Sequence, residues 1–131
     1  LNGFCSKLLA QEPLLAMISR EQGIPECREL TLEELAGHHL ILSKRYRKYI
    51  LSVFEKKGLS CDVYYECEDA RTAMAIAASG LGTAILPASM QKQSENICAL
   101  PIADKELATD VLLVWRNEEL SAAVESFLRE F

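Results

Sequence analysis

The sequence has no apolar run approaching the roughly 20 residues that a membrane-spanning helix needs, which excludes an integral membrane protein of the helical kind. Low-complexity stretches and internal repeats are also missing, and with them fibrous, solenoid and disordered architectures. No GxxxxGK[ST] phosphate loop is present, so a P-loop nucleotide enzyme is excluded. The five cysteines, Cys5, Cys27, Cys61, Cys67 and Cys98, lack the paired CxxC spacing of a tetrahedral zinc site. Odd in number and scattered, they read as reduced thiols packed like small apolar side chains, with Cys67 the one worth testing for reactivity. Basic residues are in the minority, 14 against 19 acidic ones for a net charge of −5, so the chain as a whole is not built to wrap nucleic acid. The opening LNGFCSK has no signal-peptide anatomy, which leads to the expectation of a soluble, cytoplasmic protein. Leu1 in place of an initiator methionine adds the expectation that this is a piece of a longer one.

What is present is the composition of one globular domain: 131 residues, 50% hydrophobic and 25% charged. A chain of this size buries roughly two-thirds of its unfolded surface, enough for a core without staples. Short apolar runs alternate with helical patterns. Residues 8–19 read as extended, with Pro13 suggesting an edge or a bend rather than a central strand. Thr31 and Glu34 form a capping box for a short helix that Gly37 ends. Residues 38–43 read as a strand. The following helix, stopped by Gly58, places Tyr46, Tyr49, Ile50, Val53 and Phe54 at three- and four-residue intervals. A β-branched and aromatic strand over 62–67 comes next. Asp69 then caps an alanine-rich helix ending at Gly80, and 81–86 is a third strand terminated by Pro87. Two more strands are expected at 97–102 and 110–116, then a final amphipathic helix. Strands joined by helices predict an open, mainly parallel α/β sheet covered by helices on both faces.

Such sheets bind ligands beyond the carboxyl ends of their strands. That rule selects Ser43 to Tyr46, Cys67 to Ala70 and the chain after Pro87, with Gly82 and Thr83 as further contacts. Lys44, Arg45, Arg47 and Lys48 crowd four positive charges at a helix start, where the macrodipole disfavours each exposed cation by about 0.3–1 kcal/mol. The alternatives are an anion that compensates them and a solvated basic face. His38 and His39 are adjacent on a strand and point to opposite faces, so they cannot easily share one metal ion. Of Glu66, Glu68 and Asp69, the last is best used as a cap, and strand alternation is read as separating the other two. Trp115 reads as a packed strand residue. No nucleophile with a placed base is found, and neither a cofactor nor a metal is called for.

The ordered phrases LLAQEPLLAMISRE, LTLEELAGHHLIL, AIAASGLGTAILPAS and DVLLVWRNEELSAAVESFLREF resemble the later part of the effector-binding domain of LysR-type transcriptional regulators, across nearly the whole chain. The resemblance implies a type II periplasmic-binding-protein-like fold, with two α/β subdomains and a small-molecule effector in the cleft between them. On it, 25–104 is the second subdomain and 8–19 and 110–116 are crossing strands. Residues 120–131 are a helix that would pack on a first subdomain mostly outside this chain. Carried over by position, the effector contacts are Ser43, Lys44, Arg45, Tyr46, Cys67, Glu68, Asp69 and Thr83. QGIP stands where the family often has a histidine-proline turn.

The function implied is a ligand-sensing regulatory domain that modulates DNA binding and transcription by the full-length protein. The effector is expected to be a small anion, the only DNA contact is through an N-terminal winged helix-turn-helix beyond this chain, and a homo-oligomer without membrane association is expected. Apolar surface at 8–19 and in the last helix is expected to be covered by a partner chain. The alternatives are an enzyme on the same architecture, similar to prephenate dehydratase, and a solute-binding protein. RTAM is not the Thr-Arg-Phe element of the former, and five free cysteines disfavour the latter.

Overall fold

The computed structural model describes residues 4–23 and 28–116, with side chains at 8–9, 11–23 and 28–109. The expected helix at 120–131, Cys27, Pro25 and the side chains of Cys5 and Trp115 lie outside that description. Two compact units are present: Pro13–Ala108, and a second that includes 4–12 and 109–116. In the second, β6 (Ala108–Arg116) pairs with β1 (Phe4–Ser19).

The larger unit is built as the periodicities require. Thr31 Oγ1 accepts from the Glu34 amide while the Glu34 carboxylate reaches back to the Thr31 amide, closing the capping box of α1 (Leu32–Ala36). Gly37 ends α1 with φ −85°, in the right-handed rather than the left-handed region. Strand β2 (His39–Ser43) leads into α2 (Lys44–Lys56), and β3 (Asp62–Cys67) into α3 (Ala70–Ala78). Strand β4 (Thr83–Pro87) is followed by a 3-10 helix at Ala88–Gln93 and then by β5 (Ile97–Leu100). The strand order is β3-β2-β4-β1-β5. β2 runs parallel to both β3 and β4, and β1 runs antiparallel to β4 and to β5. Four strands therefore point one way and β1 the other, a mainly parallel α/β sheet of the expected class.

Both faces are covered. Ile50, Val53 and Phe54 of α2, with Leu32 and Leu35 of α1, pack on Leu40, Leu42, Ile85 and Leu14. Ala73, Met74 and Ala77 of α3 pack on Ile41, Ala84, Leu86 and Met17. Tyr49 departs from the expected apolar stripe: one residue round from Ile50, it faces outward and is 40% exposed. Every residue of β4 is buried, as a strand with helices on both sides should be.

The expectation for Pro13 needs correction. From Leu14 onward β1 is an inner strand, flanked by β4 and β5. Pro13 is tolerated because it precedes the first residue registered with β4; the next amide, that of Leu14, donates to Leu107 O at 2.9 Å, outside the β4 ladder. Apolar exposure over 8–19 is correspondingly limited: Leu8 is exposed, but Leu14, Ala16, Met17 and Ile18 are in the core.

One irregularity matters for the site. Along the β2–β3 ladder, Leu40 stands opposite Val63 but Ile41 stands opposite Tyr65, so Tyr64 is an extra, bulged residue. Val63 then joins the core under α2, whereas Tyr65, two residues on, joins the core under α3. A regular strand would have put both on one face.

Candidate functional site

The chain leaves β2 through α2 toward β3, and leaves β4 in the other direction toward β5. Adjacent parallel strands whose connections diverge open a crevice beyond their carboxyl ends. Ser43 and Pro87 stand at those ends, and Ser43 is registered opposite Cys67, the last residue of β3.

Ser43 is the N-cap of α2, with extended backbone (φ −84°, ψ 146°), yet its side chain makes no capping bond. Its hydroxyl is sealed from solvent and has no protein hydrogen-bond partner among the described residues. The first turn of α2 carries no acidic residue to offset the macrodipole. Its cations instead draw carboxylates from the neighbouring strand. Arg47 Nε lies 3.0 Å from Glu66 Oε2, a charge contact whose angles fall short of a hydrogen bond. Lys44 Nζ lies 4.0 Å from Glu68 Oε1, with both side chains largely in solvent. The Arg45 guanidinium sits 5.5 Å from the centre of the Tyr46 ring.

Glu66 and Glu68 are not separated as expected: residues two apart along a strand point to the same face, and both carboxylates reach the same helix start. The bulge at Tyr64 sets Glu66 opposite Leu42, on the α2 side of the sheet, and β3 ends before Glu68. Nothing in the sequence pattern signals that bulge.

At the next helix start, Asp69 Oδ1 accepts from the Thr72 amide at 2.8 Å. That backbone hydrogen bond holds the Asp69 carboxyl below its ordinary range. Cys67 is buried, and burial, reinforced by the Asp69 charge, pushes its thiol upward, away from the thiolate form that reactivity requires. Thus Ser43, Lys44, Arg45, Tyr46, Cys67, Glu68 and Asp69 gather at one end of the sheet. Thr83 does not join them. It opens β4 at the amino end, opposite Leu40, and its hydroxyl lies 2.8 Å from His38 Nδ1.

The two histidines have separate partners. His39 Nδ1 is 3.1 Å from Asp62 Oδ2, and its ring lies 4.5 Å from that of Tyr64. A depression of about 480 Å³ lined by Arg71, Met74, Ala75, Ala78, Gln93 and Ser94 contains none of the residues selected from the sequence.

The chain matches the family model described as the LysR substrate binding domain over residues 1–131. It is 27% identical over 128 residues to the HTH-type transcriptional regulator CatR of Pseudomonas putida, covering 93% of this chain and 44% of that protein. It is 28% identical over 127 residues to the uncharacterized HTH-type transcriptional regulator YnfL of Escherichia coli K12, covering 92% and 43%. The chain therefore spans less than half the length of these relatives. Among solved structures, it is similar to CbnR, a LysR family transcriptional regulator, with TM-score 0.84 and 21% identity over 98% of this chain and 47% of that one. It is also similar to the BenM effector binding domain with its effector benzoate, with TM-score 0.82 and 20% identity over 99% and 64%.

Proposed function

Because the chain belongs to the LysR substrate binding domain family and is an effector-binding domain of a LysR-type regulator rather than an enzyme, we propose that it senses a small anionic effector at the carboxyl ends of β2 and β3. In this reading 25–104 is the second subdomain and 8–19 with 110–116 are the crossing strands. The ligand meets Ser43, Lys44, Arg45 and Tyr46 on one side, with Cys67, Glu68 and Asp69 bordering the site on the other. Thr83 is left out because it stands at the opposite end of its strand.

The observation that carries the reading is the Ser43 hydroxyl. A buried hydroxyl without a partner costs about 1–3 kcal/mol, a cost that a ligand would recover by accepting its hydrogen bond once the side chains covering it move aside. The same ligand would meet the free amides of the first α2 turn, where an anion is favoured. In the full-length protein, which we place in the cytoplasm as a homo-oligomer, a bound effector shifts the balance between DNA-binding states only by its differential affinity for them.

Calorimetry on the full-length protein with benzoate and with inorganic phosphate tests this. Ser43→Ala and the pair Lys44→Ala/Arg45→Ala should each weaken a bound anion by about tenfold, the loss of one charge-assisted hydrogen bond. Unchanged affinity in both variants would return the basic cluster to a solvated surface.

A further inference from the structure

The four cations at the start of α2 are not equivalent. Arg47 is drawn close to Glu66, an acid fixed within β3 and turned onto the α2 side by the bulge at Tyr64. Lys44 faces Glu68 across 4.0 Å, and Glu68 stands just beyond the end of β3, 85% exposed. One pair is close and held in regular structure; the other is loose and solvated. Lys44 also adjoins Ser43, whose buried hydroxyl has no partner among the described residues.

We propose that Glu68 is a built-in competitor for the anion at this site: its carboxylate occupies the field of Lys44, and an effector has to displace it to bind. The inference rests on the anion-sensing reading of that site. An arriving anion meets a cation already partly neutralised, and a second negative charge beside it. Both effects raise the concentration at which the site fills. Because the pair is exposed, the penalty is small and is screened by salt. Glu68 then sets the sensor's threshold without contributing to its fold.

Binding of benzoate and of inorganic phosphate to the full-length protein, measured by calorimetry at low salt and at about 0.5 M salt, distinguishes the outcomes. Glu68→Gln should bind the anion about two- to fivefold more tightly than the parent at low salt, with the gain fading at high salt. Glu55→Gln, an exposed acid at the far end of α2, should change nothing. In a Lys44→Ala background Glu68→Gln should lose most of its effect. If the parent binds either probe and Glu68→Gln is unchanged, weaker, or matched by Glu55→Gln, the competitor role is overturned and the anion site stands. If neither the parent nor Glu68→Gln binds either probe, the anion reading fails and the competitor role fails with it.

Discussion

Ser43 and Cys67 close the parallel β2–β3 ladder as its last registered pair, both buried, one with a hydroxyl that has no partner among the described residues and one with a thiol whose pKa burial raises. The Ser43 hydroxyl makes no hydrogen bond among the described residues, so stability and ligand affinity can be separated there. Ser43→Ala should leave the ligand-free protein as stable as the parent or up to about 1 kcal/mol more stable in urea denaturation, because an unsatisfied buried polar group is removed. The same change should weaken anion binding. A clear loss of stability would mean that the hydroxyl is satisfied in the native state.

His38 supplies a pH signature. Burial lowers its pKa below the ordinary 6.5, with the Glu34 charge opposing that shift and His39 adding to it. The unfolded chain therefore takes up a proton at a higher pH than the folded one. His38 contributes stability that is fully present above about 6.5 and is lost as pH falls from there toward the depressed folded value. Denaturation midpoints should fall from pH 7.5 to about 5.5, and His38→Gln should flatten that slope. Glu34 and Asp69, whose pKa values are lowered by hydrogen bonds to the Thr31 and Thr72 amides, act in a separate and more acidic window.

Two glycines near the start of β4 should respond differently to alanine. At Gly82 an added Cβ would meet His39 O at 2.4 Å and the Ile41 side chain at 3.2 Å, forcing β4 away from β2. Gly82→Ala should destabilise by about 2–3 kcal/mol, as overpacking against fixed backbone does. Gly80 has open space around it but φ +86°, so Gly80→Ala should cost only about 1–2 kcal/mol of left-handed strain. Equal losses in urea titrations would contradict the difference in cause.

The capping box of α1 gives a local test. Thr31→Ala removes the acceptor for the Glu34 amide and should lower stability by about 1 kcal/mol, while Thr31→Ser should keep it. If the two variants melt together, the box is not holding the helix.

Much of this was legible residue by residue. The capping box, the Asp69 cap and the Gly58 and Gly80 stops are contacts within a few positions along the chain, and each is where its residue types indicate. The convergence of Ser43 with Cys67 followed from the rule for parallel strands. The fates of the basic cluster did not: Arg47 meets Glu66, 19 residues along the sequence, only because one extra residue at Tyr64 changes which face Glu66 occupies. Pro13 was misleading for the same kind of reason, since a local preference for edges says nothing about which strands flank the next residue.

The sequence by itself determined the order of helices and strands, the caps of α1 and α3, most of the apolar sides of α2 and α3, and that the sheet has two covered faces, while strand ends differ by a few residues. These follow from periodicity and capping, which act over three or four residues. Only the tertiary structure decided that β1 lies between β4 and β5, that β3 carries a bulge, and that Lys44 and Glu68 face each other. Register and charge pairing are set by packing between segments distant in the chain, where no local pattern distinguishes the partner chosen from those passed over.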